Sequence, residues 1–409
     1  MPTSAGCSPE RSPGSVPARK ANERTGARTP VPPPSHRLSE AQRHAWLRLI
    51  RAENVGPVTF RELINHFGGA EEALDALPEL SRRGGRGKPI RVPSRRDIEA
   101  ELARADAAGA HLVAIGEPGY PRALASVDAP PPLLYVKGRS DLLARPMVAI
   151  VGARSGSAAG QKMARLLATD LGRGGFVVAS GLARGIDGAV HRAALERGTA
   201  AVVAGGIDVV YPPEHAELQQ AIGRDGCLVS ERPPGLEPRG QDFPRRNRII
   251  AGMSLGVIVV EAAQRSGSLI TARMAAEIGR EVLAVPGHPL DPRAEGTNRL
   301  LKQGATLVAC ADDVIDCLRP QLEMPLASPP SALLAERDAE PGPEPTEIGT
   351  ERERVLAALG PTPVDINEIA RASGVGIRNV QIVLLELDLA GRLERHTGHT
   401  VSLVTAGGD

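Results

Sequence analysis

A regular alternation of short apolar runs and amphipathic helical patterns between residues 147 and 317 constrains the fold of this chain more than any other feature. The apolar runs are Val148–Val151, Phe176–Ala179, Ala200–Ala204, Cys227–Val229, Val257–Val260, Val282–Val285 and Thr306–Ala309. Because strands that are buried on both faces and separated by helices form parallel sheets, the pattern predicts an α/β fold with an extended Rossmann-like parallel sheet core. Ligands of such sheets bind beyond the carboxyl ends of the strands, so the residues after each run are the candidate site.

The remainder of the chain divides by composition and periodicity. We expect five segments: a disordered Pro/Ser/Arg-rich tail (1–37), a helical SAM or helix-hairpin-helix-like domain (38–85), the extended Rossmann-like domain (86–318), a Pro-rich linker (319–349) and a winged-helix-like domain (350–405). The Rossmann-like domain begins with a connecting region in which we expect a helix and a short strand at His111–Ile115.

The two flanking domains each allow two interpretations. The turn Asn54–Pro57 resembles the phosphate-binding turn of a helix-hairpin-helix, but Pro57 lacks one N–H donor, so a plain packing role is the alternative. In the C-terminal domain the recognition helix Ile377–Leu389 carries Arg378 near its start but acidic residues near its end. That charge pattern favours a protein- or self-interaction role over the reading of duplex DNA.

Bulk composition excludes several classes of protein. The formal net charge is +1, so a nucleic-acid partner is not indicated by charge alone. The cysteines form no CxxC pair, which disfavours zinc ribbons and disulfide frameworks. The chain has no run of about 18 apolar residues and no secretory signal pattern, so we expect a cytoplasmic protein with no membrane partner.

The first apolar run is followed by a glycine-rich turn, Gly152-Ala153-Arg154-Ser155-Gly156-Ser157. Such a strand-to-helix turn lets backbone N–H groups bind an anion, although a purely structural turn is the alternative. The glycine spacing is not GxGxxG and no acidic residue ends the second run, so a dinucleotide site is disfavoured. Gly152 and Arg154 are candidates for phosphate contact.

The second run leads into Ser180-Gly181-Leu182-Ala183-Arg184-Gly185-Ile186-Asp187. Small residues, Arg184 and an Asp N-cap suit a turn that faces phosphate. A hydrolase triad of Ser180, Asp187 and His191 is rejected, because a nucleophile elbow requires glycine where Val178 stands. We expect a structural contact between Asp187 and His191.

A basic segment, residues 239–250, stands out in this nearly neutral chain because it contains four arginines and one aspartate. Phe243, one of four phenylalanines, lies at its entrance. Arginines on phosphates and a ring for base stacking are typical of single-strand binding, whereas a solvated helix start with a buried Phe243 is the alternative. The candidate residues are Arg239, Phe243, Arg246, Asn247 and Arg248.

The fifth run ends at Glu261 and precedes Ser266-Gly267-Ser268, which offers N–H and hydroxyl donors at a helix start. None of the turns brings together an acid, a base and a nucleophile, which favours binding over catalysis. We therefore expect no catalytic residue, no cofactor and no metal.

The motifs VAIVGAR, SGLARGIDGAVH, YPPEH, FPRRNRIIAG, EAAQRSGSLITA, AVPG and GTNRLLKQGA, in this order, resemble the DNA-processing protein A (DprA/Smf) family. The resemblance covers about Tyr120 to Leu318, and the flanking domains are more weakly similar. It implies an extended Rossmann fold that binds single-stranded DNA, loads the RecA recombinase in natural transformation and pairs as a homodimer.

The resemblance also implies roles for individual residues. Phe243 would offer a face for base stacking, and the phosphate pocket would be lined by Arg154, Ser180, Gly181, Arg184, Arg246, Asn247, Ser266, Gly267 and Ser268. Some members have a lysine where Gly240 stands, so Arg239 would supply that charge here.

The alternative function is that of a nucleotide hydrolase related to the LOG phosphoribohydrolases, which have a similar fold. Their catalytic glutamate follows a PGGxGT loop, whereas Thr271 stands where that acid is expected in this chain. The substitution argues against hydrolysis.

Overall fold

The structure, a computed structural model, describes residues 37–323, 348–396 and 398–404. Most of the expected tail (1–37) and linker (319–349) therefore lies outside the described residues. At the linker's start, helix α12 (Ala311–Glu323) continues through Pro320, so the first five residues assigned to the linker are helical.

A nine-stranded sheet with the order β1-β2-β6-β5-β4-β3-β7-β8-β9 forms the centre of the molecule. All neighbouring pairs from β6 to β9 are parallel, whereas β1 and β2 pair antiparallel with each other and β2 pairs antiparallel with β6. The strands are β1 (Ala110–Ala114), β2 (Leu133–Gly138), β3 (Met147–Gly152), β4 (Val177–Ser180), β5 (Thr199–Val202), β6 (Cys227–Ser230), β7 (Gly256–Val260), β8 (Glu281–Ala284) and β9 (Thr306–Leu307). The seven strands predicted from the apolar runs and the short strand predicted at His111–Ile115 are confirmed, whereas the sequence pattern missed β2.

Helices cover the sheet. They are α4 (Arg95–Ala107), α5 (Arg122–Ala125), α6 (Ala158–Arg173), α7 (Ile186–Ala194), α8 (Ala216–Asp225), α9 (Asp242–Met253), α10 (Gly267–Glu277), α11 (Glu295–Lys302) and α12. Side chains of β3 alternate between two core clusters: Ala149 and Val151 enter one, while Val148 and Ile150 enter the other. The central strands are therefore buried on both faces, as the continuous apolar runs predicted.

The N-terminal domain consists of α1 (Glu40–Ile50), α2 (Pro57–Phe67) and α3 (Ala70–Arg83). Ser39 caps α1 in a capping box with Gln42, and α2 begins at Pro57, where a missing N–H costs no helical hydrogen bond. Trp46 and Phe60 pack edge to face with ring centroids 5.0 Å apart, which holds α1 against α2.

The C-terminal domain contains α13 (Ile348–Ala357), β10 (Val364–Asp365), α14 (Ile366–Ser373), α15 (Ile377–Leu389), β11 (Leu393–Arg395) and β12 (Thr400–Leu403). Gly374 ends α14 in the left-handed conformation, and the antiparallel strands form the wing. Leu385 and Leu389 of α15 enter the same core cluster as the N-terminal helices. One face of the recognition helix is therefore covered by the N-terminal domain.

In the described part of the chain no helix is long and apolar enough to cross a membrane. Cys227, Cys310 and Cys317 are free thiols there.

Candidate functional site

The topology places a crevice at one end of β3. This strand lies between β4 and β7, so the chain leaves the sheet in opposite directions after neighbouring strands. In open α/β sheets ligands bind at such a switch point, outside the carboxyl ends of the strands. The loops after β3, β4 and β7 all begin there, as the strand pattern predicted.

The N–H and hydroxyl donors of the loop after β3 are occupied by the carboxylate of Glu261. The backbone N–H of Ser157, the N-cap of α6, donates to Glu261 Oε2 at 2.8 Å, and the Ser157 hydroxyl donates to the same carboxylate. A Cβ on Gly152 would collide with the carbonyl of Val260. Gly152 therefore allows close packing of β3 against β7, and the side chain of Arg154 in this loop is exposed.

The loop after β4 uses its backbone donors internally. The N–H groups of Gly181 and Ala183 donate to Asp187 Oδ2 at 3.1 and 3.3 Å, and the N–H of Leu182 donates to His191 Nε2 at 3.3 Å. Ser180 is fully buried, and its hydroxyl donates to the carbonyl of Ile150 at 2.6 Å. Ser180 and Gly181 therefore shape this loop rather than present donors to solvent.

His191 is held neutral inside the protein. The Thr199 hydroxyl donates to the Val178 carbonyl at 2.9 Å, so it accepts from His191 Nδ1 at 2.7 Å, while Nε2 accepts from Leu182. Burial lowers the pKa of His191 to about 3, because the charged ring would lose its hydration. Asp187 and His191 both have a structural role, but they accept hydrogen bonds from the loop after β4 and do not hydrogen-bond to each other, contrary to the contact expected from the sequence.

Arg246 joins α9 to the same loop. Its Nη1 donates to the carbonyl of Gly181 at 2.5 Å and to that of Val202, and its Nε donates to Asn247 Oδ1 at 3.2 Å. Burial lowers the pKa of Arg246 to about 10, which still leaves the guanidinium charged at neutral pH. Arg246 is only 7% exposed, so it brings a fixed positive charge to the crevice floor.

Exposed arginines and two aromatic rings line a small cleft of about 50 Å³ above this floor. The guanidinium carbon of Arg154 lies 5.4 Å from the ring centroid of Phe243, a cation–π contact. The ring of Tyr211 lies 5.3 Å from that of Phe243. Arg184 also lines the cleft and forms an exposed salt bridge of 2.5 Å with Glu214.

Two exposed arginines, Arg154 of the cleft and Arg239, which follows the cleft-lining Pro238, have no acidic partner in the described residues. Within residues 37–323 and 348–404 neither has a carboxylate within salt-bridge distance. Gly240 is exposed with open space around it, and the exposed Arg239 precedes it directly in the chain.

Asn247 links the cleft to the start of α10. Its Nδ2 lies 3.5 Å from the carbonyl of Gly267, and the hydroxyls of Ser266 and Ser268 lie 2.7 Å apart at the helix N-terminus. Gly267 is exposed, with nothing within 4 Å of a Cβ built on it. This helix start is open to solvent, whereas that of α6 is filled by Glu261.

Arg248 lies outside the cleft. Its Nη2 pairs with both carboxylate oxygens of Glu231 at 2.5 and 2.6 Å, and its Nη1 donates to the Ala129 carbonyl at 3.0 Å. The four arginines of the basic segment therefore have different roles in the folded protein. Arg246 fixes the loop after β4 and Arg248 pairs with Glu231, whereas Arg239 and Arg245 are exposed.

Sequence reasoning did not identify Tyr211, Glu261 or His215 as parts of the crevice. His215 Nδ1 lies 3.1 Å from the Leu182 carbonyl and helps to fix the loop after β4. The scarcity of aromatic residues was a usable signal for Tyr211, because 2% of the chain is aromatic and this ring stands in a polar motif. No local pattern relates Glu261 to Ser157, which is 104 residues away.

Three family models match the chain. DNA recombination-mediator protein A matches residues 111–319, the DprA-like N-terminal HHH domain matches residues 40–104, and the DprA winged helix domain matches residues 337–399.

Individual relatives agree with these matches. Protein Smf of Escherichia coli K12 is 38% identical over 366 residues, which cover 88% of this chain and 95% of that protein. DNA processing protein DprA of Streptococcus pneumoniae is 47% identical over 198 residues, which cover 48% of this chain and 70% of that protein. The X-ray structure of DprA from Streptococcus pneumoniae superposes with a TM-score of 0.58 at 34% identity, covering 69% of this chain and 98% of that chain.

Proposed function

Since this chain belongs to the DNA recombination-mediator protein A family, we propose that it binds single-stranded DNA in the crevice at the carboxyl ends of β3, β4 and β7. The observation that supports this most directly is the cleft itself: the exposed Arg154 and Arg184 lie there beside two aromatic rings, in a chain of nearly neutral charge. Arginines neutralise phosphates and rings stack on bases, which together favour a single strand over a duplex.

The proposed site has an outer and an inner set of residues. The outer set contacts phosphates or bases, and consists of Arg154, Arg184, Arg239, Phe243, Ser266, Gly267 and Ser268. The inner set fixes the shape of the crevice and supplies charge at its floor, and consists of Gly152, Ser180, Gly181, Arg246 and Asn247. Exposure supports this division for Ser180, which is fully buried, and for Arg246, which is 7% exposed, whereas Ser268 is also 7% exposed and is placed in the outer set because it lies at the open start of α10.

Binding without hydrolysis is part of the proposal. Thr271, which stands where the related hydrolases carry a glutamate, is 1% exposed. The carboxylates near the crevice already have partners: Asp187 accepts from the β4 loop, Glu261 from Ser157, and Glu214 pairs with Arg184. A cleft of about 50 Å³ is also smaller than typical nucleotide pockets of roughly 300 Å³ or more.

A salt titration of oligo-dT binding tests the proposal. If about four or more phosphates are neutralised, log K falls steeply with log salt, and Arg154→Ala reduces the slope by about one. Arg319→Ala, which removes an exposed arginine from α12, is the matched control and leaves affinity unchanged. A salt-independent affinity, or turnover of a nucleoside monophosphate, contradicts the proposal.

We further propose that the bound strand is handed to the RecA recombinase and that the protein acts as a homodimer. The family description as a recombination mediator supports the first step, because a mediator must act on the strand that the recombinase coats. RecA filament formation on oligo-dT, followed with and without this protein, tests the transfer. Light scattering of the purified protein tests the dimer, and a monomeric mass at micromolar concentration excludes it.

A further inference from the structure

Tyr211 is unusual among the aromatic residues of this protein because its ring faces solvent. It is 44% exposed, whereas Trp46, Phe60, Tyr120, Tyr135 and Phe176 are all 5% exposed or less. Its hydroxyl has no hydrogen-bond partner among the described residues. Neither core packing nor a polar contact therefore explains why a tyrosine stands at this position.

The ring of Phe243 packs against one side of the Tyr211 ring. Phe243 lies 5.3 Å away with an interplanar angle of 52°, and it is in turn contacted by the guanidinium of Arg154 at 5.4 Å. Phe243 is thus flanked by a ring and a cation, and it is only partly exposed. The larger accessible aromatic surface of this pair belongs to Tyr211.

The surroundings of the ring match the chemistry of a nucleotide strand. Arg154, Arg184 and Arg246 line the same cleft as Tyr211, so phosphates on either side of a stacked base would meet positive charge. Base–aromatic stacking tolerates any base because every base has a π-face. Tyr211 is 44% exposed, so part of its side chain is accessible to a base.

We infer that Tyr211 is a base-stacking residue of the single-strand site, and that Phe243 supports its ring while offering a second, smaller stacking surface. This inference rests on the proposed function. It assigns to the chain a two-ring platform, Tyr211 with Phe243, in which the tyrosine makes the dominant contact with a base.

The test uses the full chain with Tyr211→Leu and Tyr211→Phe, and measures the affinity for oligo-dT and for an abasic oligonucleotide of equal length. Loss of one stacking contact weakens oligo-dT binding by about fivefold or more. Tyr211→Leu therefore loses this affinity, Tyr211→Phe retains it, and the abasic strand binds both variants as it binds the wild type. Arg154→Ala, in contrast, weakens binding of both strands.

The outcomes separate the two proposals. If the wild type binds neither strand, the proposed function fails. If it binds both, and Tyr211→Leu binds oligo-dT as tightly as the wild type, only the stacking inference fails. Equal loss on both strands shows that the side chain acts through the fold, which also overturns the inference. Photocrosslinking to 5-bromodeoxyuridine is expected to label Tyr211, and labelling confined to other residues contradicts it.

Discussion

Single residues around the crevice are explained by the atoms that lie against them. A Cβ on Gly181 would stand 2.6 Å from Nη1 and 2.7 Å from Cζ of Arg246, so the glycine leaves room for a buried guanidinium. Gly185 has a φ of 73° and packs against the carbonyls of Ala153 and Arg154. Glycines that suggested a phosphate-binding turn therefore also serve contacts within the protein.

Gly181→Ala is expected to destabilise the fold. The new methyl group displaces Arg246 from the carbonyls of Gly181 and Val202, and overpacking of this kind costs about 1–3 kcal/mol. Urea unfolding measures the change. Gly267→Ala is the matched control, because open space surrounds that position, and its free energy of unfolding should equal or slightly exceed that of the wild type.

At the scale of elements, the loop between β4 and α7 is fixed from several directions. Asp187 and His191 of α7 accept its N–H groups, while Arg246 of α9 and the ring of His215 contact its carbonyls. Burial raises the pKa of Asp187, and the charge of Arg246 opposes that rise. The loop is consequently a rigid wall of the crevice that presents Arg184 to solvent.

This arrangement makes stability depend on pH. The pKa of His191 falls from 6.5 to about 3 on folding, so between these values the unfolded chain binds more protons than the folded protein. Because His191 is protonated only in the unfolded chain in this window, the free energy of unfolding decreases as the pH falls from 6.5 toward 3. Above pH 6.5 His191 causes no change. Urea unfolding from pH 7.5 to 4.5 measures this effect.

His191→Gln, which cannot take up a proton, should show a shallower decrease in the same series. His288→Gln removes an exposed histidine and should reproduce the wild-type slope. Equal slopes for the wild type and His191→Gln would mean that His191 does not carry the effect.

At the scale of the whole molecule, the C-terminal domain rests on the N-terminal helices. Arg395 of the wing pairs with Glu62 of α2 at 2.6 Å and with Asp388 of α15 at 2.9 Å, and Asp388 also accepts from Thr59 at 2.7 Å. Asn54, in the turn that resembles a helix-hairpin-helix, donates to the Leu389 carbonyl at 3.0 Å. The side chain of Asn54 therefore contributes to the packing of the two domains.

Arg395→Ala is expected to loosen the two domains. It leaves two largely buried carboxylates without their cation, a change that costs about 1–3 kcal/mol. Hydrogen exchange should rise in α2 and α15 but not in the central sheet. Arg82→Ala breaks an exposed pair with Glu79 and should change stability by about 0.5 kcal/mol or less. Unchanged exchange in α2 and α15 would show that Arg395 does not hold the domains together.

Much of the fold could be predicted because its signals are local. Apolar runs located eight of the nine strands of the central sheet, and Gly374 marked the turn between two C-terminal helices. Strand β2 was missed because Leu133–Gly138 follows a run of prolines, and its antiparallel partners lie far away in sequence.

The sequence by itself determined the alternation of strands and helices, the family, and the end of the sheet where a site can form, since all three depend on short-range patterns. The tertiary structure alone decided which candidates are exposed in the crevice and which are buried or paired. It turned Ser180 inward, paired Arg248 with Glu231, and placed Tyr211 beside Phe243. The physical reason is that exposure and pairing depend on contacts between segments many residues apart, which no periodicity within one segment records.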